Sequence, residues 1–189
     1  MNRKPIAVIA IYPTCIGVEN AVEAFRDAGF QSVDVSLLLP EKMIAEDLFI
    51  REATDTLENA TAGATTIASI DGPLGWLEEI GPAAIPGESK FIAAGPIAEA
   101  LEVGSLDESS APLVAALISF GIPENETGEY QAKIMQGGAL LSIHCESAEQ
   151  AERARHLHCD VGGTNIFSTS RREADCGKLK RSLSQWAGR

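Results

Sequence analysis

The strongest constraint on this chain is an alternation of element types that occurs once near each end. Ile6 to Tyr12 is a short apolar run rich in Ile and Val, suited to a strand covered on at least one face. After a turn at Pro13-Thr14, the residues Val18, Ala21, Val22 and Phe25 fall at helical spacing, and Gly29 stands where that helix should end. Val33, Val35, Leu37 and Leu39 then recur at period two until Pro40. The same order returns later. Ala139, Leu141, Ile143 and Cys145 alternate with Leu140, Ser142 and His144, which predicts a strand with one apolar and one mixed face. Ser147 with Gln150 forms a capping box for a helix that turns Ala148, Ala151 and Ala154 inward and stops at Gly162-Gly163, and Asn165 to Thr169 is the closing strand.

Neither β-α-β unit can bury its sheet face alone. Pairing them predicts an α+β fold of the ferredoxin-like, split β-α-β kind: a four-stranded antiparallel sheet with both helices on one side. Residues 1–40 and 124–170 are expected to form this core, 41–123 a helical insertion rich in Gly, Ala and Pro, and 171–189 a C-terminal helix or tail. The insertion is too long for a structureless loop in a compact domain. Pro73, Pro82, Pro86, Pro96, Pro112 and Pro123 cut it into pieces such as Leu74 to Ile80, Phe91 to Val103 and Leu113 to Phe120. Pro123 then opens a further helix, with Glu124 and Glu126 in its first turn, Glu129 four residues before Lys133, and Gly137-Gly138 as the stop.

Charge narrows the partners. The net charge of −12 disfavours nucleic acid, and residues 60–123 hold eight acids against one base, Lys90. The longest promising uncharged run, Ser109 to Pro123, contains Pro112 and is only fifteen residues long, so a membrane span is not expected and the acidic insertion disfavours membrane-surface contact. The start, Met1 to Tyr12, imitates a secretory leader, but Pro13 and the amphipathic helix after it argue against one. Cys15, Cys145, Cys159 and Cys176 lack C-x-x-C spacing and read as reduced thiols of a cytoplasmic protein. The basic tail, with Leu179, Leu183 and Trp186 at helical spacing, reads as a docking helix.

Residues that could carry chemistry are few. His144, His156, His158 and Cys159 are the candidates for a metal, because imidazole and thiolate suit zinc and copper. Residues two apart on a helix do not share a face, and neighbours on a strand point oppositely, so no metal site is expected. Gly72-Pro73-Leu74-Gly75, Gly137-Gly138 and Gly162-Gly163-Thr164 continue into no phosphate-binding fingerprint, and Ser142 and Ser168 lack the context of a catalytic nucleophile. No catalytic residue and no cofactor is assigned.

Gly121-Ile122-Pro123-Glu124, Tyr130, the run Gly137 to Cys145 and Ile166-Phe167-Ser168-Thr169 resemble the bacterial general-stress and low-temperature-induced proteins related to the general stress protein 17M family. Ala24 to Phe30, Val35 to Pro40, Gly75-Trp76-Leu77, Ala84-Ile85-Pro86-Gly87 and Ile92 to Ile97 are similar to it as well. The resemblance implies stress association and supplies no catalytic residues. Asp71, Glu78, Glu79, Glu88, Glu99, Glu102, Asp107 and Glu108 interrupt a centre that is nearly uncharged in the family, which argues against membrane insertion here.

The function expected is therefore non-enzymatic: a stress-associated protein whose helical insertion mediates self-association or contact with a protein partner. Ala94, Gly95 and Ala98 are the small residues expected to let helices of a homo-oligomer approach closely. The alternative is an ACT-like module that binds a small molecule.

Overall fold

The computed structural model describes residues 6–44, 73–77, 80–83, 90–104 and 112–169. Strand β1 (Ile6–Tyr12) leads through Thr14, whose side chain accepts from the Gly17 amide, into α1 (Cys15–Asp27). Strand β2 (Val35–Pro40) follows a short 3-10 turn. In the middle of the chain lie β3 (Gly81–Ala83), β4 (Phe91–Ala94), α2 (Pro96–Gly104) and α3 (Pro112–Ser119). The chain then runs through α4 (Glu124–Met135), β5 (Ala139–Cys145), α5 (Ala148–Asp160) and β6 (Thr164–Ser168). The Ser147 hydroxyl caps α5 by accepting from the Gln150 amide at 3.2 Å, while the Gln150 side chain accepts from the Glu146 amide at 2.9 Å.

The class is α+β. All described strands join one antiparallel sheet in the order β3-β4-β2-β5-β1-β6, so β5 separates the two parallel strands β1 and β2. The expectation of four strands is corrected to six, because the insertion adds β3 and β4 to the free edge of β2. Pro96 is the reason. A helix across Phe91 to Val103 would hold Pro96 in its interior, whereas proline is tolerated in the first turn. The helix accordingly starts at Pro96, and Phe91 to Ala94 pair with Leu37 to Pro40 instead. Val33, read as part of the second strand, lies in the 3-10 turn and is 53% exposed.

Both faces of the sheet are covered. On the first, Val8, Ala10, Leu37, Leu141 and Ile143 meet Val18, Val22 and Phe25 of α1 and Ala151 and Ala154 of α5, with Leu74 and Leu77 of the insertion added. On the second, Ile9, Ile11, Leu38, Leu140 and Phe167 meet Ile97 and Leu101 of α2, Leu113 and Leu117 of α3, and Tyr130 and Ile134 of α4. The mixed face read in β5 is thus an interior face. The docking helix expected over 171–189 lies outside the described residues, as do Cys176 and most of the acidic residues of the insertion.

Candidate ligand-binding site

Four chain ends meet at one end of the sheet. Pro13 follows β1, Pro40 closes β2, Phe91 opens β4, and Gly137 precedes β5; the pairs Tyr12 with Ala139 and Pro40 with Phe91 place them at the same level. Gly137 has φ of +102°, a left-handed conformation that reverses the chain between α4 and β5 and favours glycine. Around these ends lies a cleft of about 230 Å³. Met43, Ile134 and Met135 line it with Phe91 and the two prolines, and Lys42, Gln136 and the Gly137 backbone supply its polar groups. Ile134 and Phe91 are buried, whereas Met135 at the rim is 38% exposed. Two thioether side chains beside an aromatic ring form an adaptable apolar wall. The volume lies below the roughly 300–1,000 Å³ of pockets for drug-sized ligands, which sets the scale to a compact molecule.

Sequence reasoning missed this cleft. The signal available was the pair of prolines ending two predicted strands, but their meeting with Gly137 depends on β5 entering between β1 and β2.

The metal candidates go to separate places. His158 is fully buried under the first sheet face, where Nδ1 sits 2.8 Å from the Tyr12 hydroxyl and the ring packs edge-on against Phe25. Burial drives its pKa down to about 3, with the Val8 backbone opposing, and the same burial raises the Tyr12 phenol far above its ordinary range. His144 lies under the opposite face beside Phe120. Burial lowers its pKa too, against the smaller opposing effects of the Asp34 carboxylate and backbone. His156 donates from Nδ1 to the Glu152 carbonyl at 2.7 Å on α5. Among the described residues no three His, Cys, Asp or Glu side chains are grouped to hold a metal ion. His158, expected to be partly buried, is sealed between α1 and the first sheet face, and His144, expected at the surface, is half-buried beside Phe120 of the second helical layer.

The cysteines divide as well. Cys15 and Cys145 are free and buried, and burial pushes the Cys145 thiol up to about 12, far from the thiolate that would react. Cys159 is disulfide-bonded. This corrects the expectation of uniformly reduced thiols, which rested on the lack of C-x-x-C spacing.

Ala94, Gly95 and Ala98 do not form a common contact surface. Ala94 is 0% exposed in the first-face core, while Ala98 packs at the edge of the second. Gly95 has φ of +73°, and a Cβ there would collide with the Val35 carbonyl oxygen. Their small size serves close approach within this chain, where α2 leaves β4 and turns over β2. Among the described residues of the insertion, α2 and α3 pack against the second sheet face.

No family model, curated protein or solved structure matches this chain. No helix among the described residues is long and apolar enough to cross a membrane.

Proposed function

We propose that this is a non-enzymatic, stress-associated binding protein that takes a compact small molecule with one apolar and one polar side in the cleft at the end of its sheet. The preformed cleft between Met43, Phe91 and Met135 is the observation that carries this reading. Its base at Pro13, Pro40, Phe91 and Gly137 is held by the pairing of β1, β2, β4 and β5, and the end of α4 supplies Ile134 and Met135. We also take the core to be ferredoxin-like: the order β6-β1-β5-β2, with α1 and α5 against one face, supports that assignment. The ACT-like regulatory module thereby moves ahead of self-association as the leading function. Stress association rests on the family resemblance in the sequence.

The test is a thermal-shift panel of aliphatic and aromatic amino acids, small aromatic acids and nucleotides. A ligand of this site stabilises the fold by RT ln(1 + [L]/Kd), about 2.7 kcal/mol at a hundredfold excess over Kd. The expected result is saturable stabilisation by one compact class that carries both an apolar and a polar group, abolished by Met135→Glu at the rim. A flat response across the panel removes the ligand-binding reading.

A further inference from the structure

Three buried polar atoms with no hydrogen-bond partner among the described residues share one patch of the second sheet face: Ser36 Oγ, Ser142 Oγ and His144 Nδ1. Ser36 and Ser142 are direct cross-strand partners on β2 and β5, and Ser142 also stands opposite Ile9 of β1. His144, two residues along β5, projects from the same face opposite Ala7. Both serines are 0% exposed. The buried cluster on this face includes Ile97, Leu113 and Leu117, all apolar, and Gly95 brings the start of α2 down onto the backbone of Val35 and Ser36.

This arrangement is costly when dry. A buried hydroxyl without a partner loses its hydration with nothing in return, and here two such hydroxyls stand side by side on a face that also carries an unpartnered imidazole nitrogen. Serine is also shorter than Leu38, Leu140 and Ile9, which surround the pair on this face, so the two side chains make a step in the sheet surface beneath α2 and α3. We propose that the patch is an internal water site, in which ordered water is anchored on the Ser36 and Ser142 hydroxyls and continued to Nδ1 of His144. Two hydroxyls and one imidazole nitrogen supply the two to four polar partners that a buried water requires. Water here makes the seam between the sheet and the α2–α3 layer a hydrogen-bonded one. The site is separate from the cleft and does not depend on it.

An atomic-resolution crystal structure of the full chain tests this directly. The expected result is water density within about 2.5–3.2 Å of both serine Oγ atoms. Serine hydroxyls bonded to each other or to main-chain carbonyls, with no water between, overturn it. Ser36→Ala and Ser142→Ala give an independent reading by sign. Each should lower Tm by about 2–4 °C if its hydroxyl holds water, since a net hydrogen bond is lost. A rise in Tm for both variants means that the hydroxyls are dry, and overturns the proposal.

Discussion

The phenol oxygen of Tyr12 lies 2.8 Å from Nδ1 of His158, joining the end of β1 to the last turn of α5 across 146 residues of sequence in a fully buried contact. With the imidazole proton assigned to Nε2, Tyr12 donates to Nδ1 and neither group needs to ionise in an apolar surrounding. Tyr12→Phe removes the donor and leaves the imidazole nitrogen without it. The expected loss is about 1–3 kcal/mol, read as a lower urea midpoint at unchanged m-value. An unshifted midpoint would show that the contact contributes nothing.

The same histidine makes stability depend on pH. Its folded pKa, about 3, lies below the ordinary value of about 6.5, so the unfolded chain binds more protons between the two. The contribution is complete above pH about 6.5 and is lost as pH falls toward 3, at about 1.4 kcal/mol per unit. His144, also lowered by burial, acts in the same direction. Urea midpoints measured between pH about 7 and 5, above the range where carboxylates titrate, should fall with acidification. His158→Phe should flatten that slope, and an equal slope in the variant rules out His158 as its source.

Asn165 is where α4 holds β6. Its side-chain oxygen accepts from Lys133, its amide donates to Glu129 Oε1 at 2.6 Å, and its carbonyl accepts from the Tyr130 hydroxyl at 2.6 Å. The backbone there has φ of +48°, a conformation asparagine tolerates better than most residues. Asn165→Ala loses both side-chain bonds and meets the left-handed penalty, for a combined cost of about 1–3 kcal/mol. Asn165→Gly should recover the backbone part only. Equal stability of the two variants in urea would mean that φ carries no cost.

Gly95→Leu should destabilise the monomer itself. The left-handed φ costs about 1–3 kcal/mol for a side-chain-bearing residue, and forcing a Cβ against the Val35 carbonyl adds overpacking of similar size. Loss of several kcal/mol by urea denaturation is expected at protein concentrations too low for association. A variant that keeps wild-type stability but changes its scattering mass would restore Gly95 to an oligomer contact.

Local signals were legible where a residue acts through its own neighbours. The Ser147–Gln150 cap, the Glu129–Lys133 pair at 3.1 Å, and the inward Ala151 and Ala154 of α5 follow from helical spacing, whereas Ala148, expected inward with them, is exposed at the start of the helix. The cleft, the Tyr12–His158 contact and the serine patch were not legible, because each joins residues that only the strand order makes neighbours. Period-two alternation in β5 predicts one apolar and one mixed face, and a sequence pattern does not show that a distant helix will cover the mixed one.

By itself the sequence determined the two β-α-β units and their helix boundaries, because hydrophobic period, capping residues and proline act over a few residues. Tertiary structure decided that β5 enters between β1 and β2, that β4 extends the sheet where a helix was expected, and that α2 and α3 close the second face. The physical reason is burial. A strand as apolar on both faces as Ile6–Tyr12 must be covered twice, and which segment supplies the second cover is settled by what else in the chain has apolar surface left to bury.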